Sequence, residues 1–236
     1  MASRSRLTIL TNLRQTLLTH LSDYVFLFPL NQQALWGTKM ANQKVTKRAK
    51  VLDKEDVKDA LEWCGKHSST ALRDQLMILL TVKLGLRAQE VAMLYVEDVS
   101  DARGRLQDSL FVSRRGAKGG KARTLPMHPE VKAALKAFMD HYKSLTSGPL
   151  FFNQYGDRMS PDAVRKQLTR IYEGIGLRGC SSHSGRRTFG TTTARNITKM
   201  GGSLKDVMHL MGHSSISTTE IYVDYTERAA ELVNMM

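Results

Sequence analysis

The sequence predicts a mostly α-helical protein with one small antiparallel β-sheet, an α+β fold, and three observations carry that prediction. Apolar residues recur at helical spacing in one stretch after another, each bounded by capping or breaking residues. Only two short runs, 110–113 and 123–127, read as strands, and a glycine-rich basic tip joins them as a hairpin. With 42% hydrophobic and 24% charged residues over 236 positions, the composition is that of a globular chain able to bury a substantial core.

Taken in order, the chain divides into a short helical N-terminal region with a basic linker, residues 1–50, and a larger domain with a tail helix, residues 51–236. In the first, Leu10, Leu13, Leu17 and Leu21 share one helical face. Arg4, Arg6, Ser3 and Ser5 precede them and the first acid is Asp23, a bias that suits either a DNA-facing helix or an organelle transit peptide. Lys44, Lys47, Arg48 and Lys50 form a basic linker. Asp53 caps the next helix, with Val57, Ala60, Leu61 and Cys64 on one face and a break at 65–70. Residues 71–84 are apolar on most sides and read as a buried central helix ended by Gly85. Arg87 follows so closely that it must be paired or face a cleft.

After the hairpin, Pro129 opens a helix with Val131, Ala134, Leu135, Phe138 and Met139 inward, and Gly148-Pro149 breaks the chain. Ser160-Pro161 caps a helix to about residue 172, its core stripe Val164, Leu168 and Ile171. Further helices are expected over 186–200, from Ser203 to Gly212, and over 218–225, with an amphipathic tail at 227–236.

The charge narrows the function. Thirty-five Lys and Arg against twenty-two Asp and Glu give +13, which points to a polyanion: nucleic acid first, an anionic membrane surface second. No apolar run reaches membrane-spanning length. Cys64 and Cys180 lie far apart, which argues against a disulfide framework and for a reducing cytoplasm. Cys180, His183 and His213 lack paired metal-ligand spacing, and the hairpin tip lacks the Gly-Lys-Ser/Thr of a P-loop. No metal or nucleotide cofactor is expected.

Four pieces carry chemistry. They are Arg87 in Gly85-Leu86-Arg87 with Glu90, Leu94 and Asp98; Lys118 in Lys118-Gly119-Gly120-Lys121 with Arg123, Leu125 and Pro126; His183 and Arg186, one helical turn apart; and Gly212-His213 followed, nine positions after the histidine, by Tyr222. Cations and hydrogen-bonding groups gathered around a phenol suit phosphoryl transfer. In this order, from about residue 53 to 225, the pieces resemble the tyrosine recombinases, also called phage integrases.

The resemblance implies a catalytic set of Arg87, Lys118, His183, Arg186, His213 and Tyr222. Tyr222 would attack a DNA phosphate and leave a 3′-phosphotyrosyl bond. Arg87 and Arg186 would stabilise the charge on the transferring phosphate, and His213 would hydrogen-bond it. His183 would assist proton transfer from the tyrosine, and Lys118 would protonate the leaving 5′-oxygen. A phenol of pKa about 10 needs such cationic neighbours to attack at neutral pH. Lys121, Arg123 and Arg187 are expected as DNA contacts. Double-stranded DNA bearing two recombination sites is the implied partner, with self-association into a tetramer and accessory DNA-bending or directionality proteins. A nicking-closing enzyme of the type IB topoisomerase kind and a non-catalytic DNA-binding protein on the same fold are the alternatives. The fifty or so residues before the larger domain are shorter than the helical DNA clamp usual in the family. Either they are a minimal clamp or the chain is a fragment.

Overall fold

The computed structural model describes residues 49–113 and 122–222. Among these, helices dominate and the sheet has two strands: α1 (Lys54–His67), α2 (Ala71–Leu84), α3 (Ala88–Ala92), β1 (Ser109–Val112), β2 (Arg123–Pro126), α4 (Pro129–His141), α5 (Pro161–Gly174), α6 (Ser182–Ile197), α7 (Leu204–Met211) and α8 (Ser217–Glu220). The mostly helical α+β prediction therefore holds. The helix expected in the N-terminal region, the linker cations Lys44, Lys47 and Arg48, the hairpin-tip lysines Lys118 and Lys121, and the tail at 227–236 lie outside the described residues.

Helix α2 is the axis of the domain. Leu76 to Leu80 are all buried, so the helix has no solvent face over that turn and a half, and α1, α4 and α6 pack around it. The ends of the elements follow the capping signals. Asp53 Oδ1 accepts from the Asp56 backbone at 2.7 Å while Asp56 returns a bond to the Asp53 amide, closing a capping box at α1. Ser160 accepts from the Ala163 amide at the start of α5, with Pro161 in the first turn. Gly85 ends α2 in the left-handed region at φ +66°, and a Cβ there would lie 2.4 Å from the Phe189 ring of α6. This turn is what aims Leu86 into the core and Arg87 out of it.

Three boundaries differ from the sequence expectation, each for a local reason. Helix α1 runs through Gly65 to His67, because its buried face at Ala60 and Cys64 holds the turn against α2. Helix α6 begins at Ser182 and not at Arg186. Ser181 accepts from the His183 amide and Ser184 returns a bond to the Ser181 amide, a serine-only capping box that adds a turn. His183 is thereby inside the helix. Helix α8 closes at Glu220, so Tyr222 sits in the turn after it.

The β1 and β2 strands pair antiparallel with Leu110 opposite Leu125 and Val112 opposite Arg123. Alternation puts Leu110, Val112, Arg123 and Leu125 on the buried face and leaves Phe111 44% exposed. A second, smaller apolar cluster joins Val207 and Met211 of α7 to Tyr222, with Phe189, Ala194, Ile197 and Leu204 against it.

Gly185 marks the tightest approach of α6 to α2, since a Cβ there would lie 2.3 Å from Thr81 Oγ1 and 3.1 Å from Val82. Alanine is worth roughly 1 kcal/mol over glycine in a helix. Overpacking costs roughly 1–3 kcal/mol, and the neighbours here are a buried hydroxyl and a β-branched side chain, so overlap wins. Gly185→Ala is expected to lower stability in urea unfolding; an unchanged or raised midpoint would contradict this packing.

Candidate active site

The site is assembled around one carboxylate. Glu90 sits one turn into α3 with its side chain fully buried, which isolated would be prohibitive for a charge. It is held by arginines from three separate elements. Arg87, preceding α3, donates from Nη1 to Glu90 Oε1 at 3.0 Å, and its amide donates to Oε2 at 2.8 Å. Arg123 of β2 is bidentate, Nη1 to Oε1 at 2.8 Å and Nη2 to Oε2 at 3.1 Å. Arg186 of α6 stands 3.8 Å from Oε2. Burial works to raise the Glu90 pKa, but Arg123, the Arg87 amide and the Arg186 charge outweigh it, and the net shift is downward. Three guanidinium groups share one carboxylate, so these four side chains carry a net +2. That surplus is what an incoming phosphate would meet.

The arginines are not equivalent. Arg87 keeps 35% of its side-chain surface exposed, against 5% for Arg186 and 3% for Arg123. Arg186 is bound by Nη1 to the Gly85 carbonyl and by Nη2 to the Met211 carbonyl and to His213 Nε2, the last at 2.9 Å. Burial and the nearby Arg87 charge lower its pKa to about 10, still cationic at neutral pH.

Arg123 requires a correction. Expected from the sequence as a DNA contact, it is buried behind Glu90, and its Nε donates to the Leu210 carbonyl at 3.0 Å. The signal was in the sequence: Arg123 is two residues from Leu125 in a strand, and so shares its inward face. Gly212, at φ +62°, makes room for it, because a Cβ there would lie 2.6 Å from Arg123 Nη1. Arg187, the other expected contact among the described residues, donates from Nη1 to the Ala49 carbonyl at 2.8 Å and ties α6 to the start of the domain.

His213 follows Gly212 directly. Its Nδ1 is 2.8 Å from Thr219 Oγ1, its Nε2 is on Arg186, and its ring stacks on Tyr222 with centroids 6.0 Å apart and planes 9° apart. Burial first, then the charges of Arg186, Arg87 and Arg123, lower its pKa to about 4, so the ring is neutral at physiological pH. Tyr222 is 8% exposed, its ring against Gly190 of α6, where a Cβ would come within 3.0 Å of it. His183 is exposed, one turn before Arg186, with its ring at a groove of about 560 Å³ shared with Arg165, Lys166 and Arg170 of α5. Partial desolvation and the charges of Arg186, Arg87 and Arg165 push its pKa below the ordinary histidine value.

The fold thus brings together Arg87, Arg186, His213 and Tyr222 from four places in the chain, with His183 at the rim. Glu90, noticed in the sequence only as part of the first arginine's surroundings, is the residue that links them. Its position three residues after Arg87, where it caps α3, was the available signal. Among the described residues, no group of three His, Cys, Asp or Glu side chains is arranged to hold a metal ion, and no helix is long and apolar enough to cross a membrane.

A helical domain that gathers arginines, histidines and one tyrosine from separated boxes has the organisation of a DNA strand-transfer catalytic domain, and the comparison with known families agrees. The model of the phage integrase family matches residues 50–228, and the chain belongs to that family. Among its relatives, tyrosine recombinase XerA of Pyrococcus furiosus is 29% identical over 216 residues, covering 88% of this chain and 69% of the relative. Tyrosine recombinase XerD of Vibrio cholerae is 31% identical over 201 residues, covering 80% and 62%. In tyrosine recombinase XerC of Rhodospirillum centenum, the match covers 65% of this chain and 42% of the relative at 31% identity. The chain therefore spans only part of the length of these relatives. Two solved structures share the fold: XerH site-specific recombinase bound to difH substrate (TM-score 0.63, 22% identity, 93% of this chain and 69% of that one) and the Tn1549 transposon integrase with circular intermediate DNA (TM-score 0.64, 19% identity, 81% and 68%).

Two outcomes test the electrostatics. Glu90→Gln leaves buried cations without their counter-charge and is expected to cost about 3–5 kcal/mol in urea unfolding at neutral pH. The folded pKa of Glu90 is depressed, so its contribution is complete above the ordinary glutamate range and is lost as pH falls through the lowered folded value. The gap between wild type and Glu90→Gln should therefore close in acid, and a gap that widens there would refute the assignment. His213 works in a higher window. Unfolded it binds a proton near pH 6.5 but folded only near pH 4, so stability should decline as pH falls across that interval. His213→Gln should flatten that decline in thermal melts, while an identical slope would place the titrating group elsewhere.

Proposed function

We propose that the protein is a site-specific DNA recombinase that cuts and rejoins strands through a covalent 3′-phosphotyrosyl intermediate at Tyr222. The observation that carries this is the net positive cradle of Arg87 and Arg186 around Glu90, with His213 bound to Arg186 and stacked on the Tyr222 phenol. A pure DNA binder has no use for a tyrosine placed there. The recombinase names borne by the relatives favour strand exchange over nicking and closing alone.

In this reading a scissile phosphate enters beside Arg87, the most exposed of the three arginines. Its non-bridging oxygens take hydrogen bonds from Arg87 and from Arg186, which strengthen as charge builds in the pentavalent transition state. The Tyr222 hydroxyl attacks phosphorus, the P–O5′ bond breaks, and the departing oxygen receives its proton from Lys118 on the hairpin tip. His183, partly desolvated and uncharged at neutral pH, takes the tyrosine proton. The phosphotyrosyl bond conserves the energy of the broken linkage, so religation needs no nucleotide. Lys121 and Arg187 add phosphate contacts. Arg165, Lys166 and Arg170 extend the cationic surface from His183 along α5.

The wider proposals follow the same reading. Residues 1–50 form a short DNA-clamping region ahead of the catalytic domain at 51–236. The partners are duplex DNA with two sites, further copies of the chain in a tetramer, and accessory DNA-bending or directionality proteins. The protein's location is with the DNA, in the cytoplasm.

The test uses supercoiled DNA carrying the sequence that flanks this coding region, incubated with protein and quenched in detergent. Wild type is expected to leave a protein–DNA adduct and Tyr222→Phe none, with binding to DNA retained. Arg87→Ala should reduce the rate of adduct formation on the order of a hundredfold or more. An adduct undiminished in Tyr222→Phe would move the nucleophile to another residue, and exchange between two sites separates recombination from relaxation.

A further inference from the structure

The hydrogen bonds of His213 determine where its proton is. A guanidinium has donors only, so the 2.9 Å contact between Arg186 Nη2 and His213 Nε2 requires a lone pair on Nε2. The neutral ring then carries its proton on Nδ1, and the atom 2.8 Å away to receive it is Thr219 Oγ1. Thr219 is fully buried, in the short helix that precedes Tyr222, and its amide is fixed to the Ile216 carbonyl at 2.7 Å. A donor with no acceptor in such a place would carry the full desolvation penalty. Yet the family resemblance asks His213 to hydrogen-bond the phosphate, which needs a proton on Nε2.

We propose that Thr219 is a positioning residue for the reaction: its hydroxyl holds His213 in the Nδ1–H form, with Nε2 on Arg186, until a phosphate oxygen takes over the guanidinium. A hydroxyl can accept or donate, unlike a carbonyl or a carboxylate. Once Arg186 turns to phosphate, Thr219 rotates to donate to a bare Nδ1, and Nε2–H faces the phosphate oxygen. One proton leaves Nδ1 for solvent and one arrives at Nε2 from it, so the ring is neutral before and after the exchange. Neutrality is favoured, since the charges of Arg186, Arg87 and Arg123 together outweigh that of Glu90. The same hydroxyl fixes the plane of the ring on which Tyr222 stacks.

This inference rests on the recombinase reading, and the experiment separates the two. Proton–nitrogen correlation spectra of the histidine rings, assigned with His213→Gln, report the tautomer without any need for activity. The free wild type and Thr219→Ser are expected to show Nδ1–H. In Thr219→Val, of similar shape but with no hydroxyl, Nδ1–H loses its buried acceptor, and the proton should shift toward Nε2 at the expense of the Arg186 contact. In the Tyr222→Phe protein bound to the flanking-sequence duplex, wild-type Thr219 should give Nε2–H. Adduct formation should slow on the order of ten- to a hundredfold in Thr219→Val, as expected when the buried Nδ1 has no hydroxyl to donate to it in the DNA-bound state, and recover in Thr219→Ser. Nε2–H in the free wild type would overturn the proposal, as would a Thr219→Val protein with unchanged tautomer and rate. If wild type forms no adduct, the recombinase reading fails and the spectra alone decide what Thr219 does.

Discussion

A carboxylate with its side chain fully buried has to be surrounded by donors, and the way Glu90 is surrounded organises this domain. Its partners come from the turn after α2, from β2 and from α6, so the ion pairs also pin the sheet and the two central helices to one another. Breaking such a pair from one side costs far more than the pair contributes against an apolar replacement. The arrangement therefore says less about stability than about purpose. With three cations to one anion it holds positive charge in a buried place where a well-balanced pair would have sufficed for folding. Arg123, which is inaccessible, neutralises Glu90 and leaves the more exposed Arg87 its remaining donors for something else.

The proposed nucleophile is placed with equal economy. Tyr222 contributes to the small apolar cluster with Val207 and Met211, while its ring lies parallel to His213. The same packing that hides most of the ring fixes it relative to α6, whose glycine at 190 allows the approach. His213 in turn is fixed by Thr219 on one nitrogen and Arg186 on the other. Guanidinium, imidazole and phenol are linked through direct contacts from Arg186 to His213 to Tyr222. Orientation of this kind is the larger part of what a protein can supply to phosphoryl transfer when charge must be stabilised over several oxygens.

Much of this was readable in advance, and the exceptions have physical causes. The capping residues Asp53, Ser160 and Ser203 placed helix starts well because they act on amides two or three residues away. The Ser181 box was missed because serine replaced the usual acid at its third position. Leu76 to Leu80 announced a buried helix because nothing polar interrupts them. Arg87 was expected to be paired or to face a cleft, and it is paired with Glu90. Arg123 was misassigned because a charged residue beside a basic, glycine-rich tip reads as surface. Only its strand neighbours, Leu125 and the facing Val112, argue otherwise.

By itself the sequence determined most elements among the described residues and their order, and it singled out the candidate site residues, since these depend on short-range periodicity, caps and motif spacing. Lone features such as a histidine after a glycine gained meaning only from appearing together in one order. What only the tertiary structure decided is which charges meet. The convergence of Arg87, Arg123 and Arg186 on Glu90 spans a hundred residues of chain, and the proton on His213 depends on a guanidinium and a hydroxyl that approach it from opposite sides. No local propensity encodes those contacts; they exist because burial leaves each polar group only the partners that packing brings within hydrogen-bonding reach.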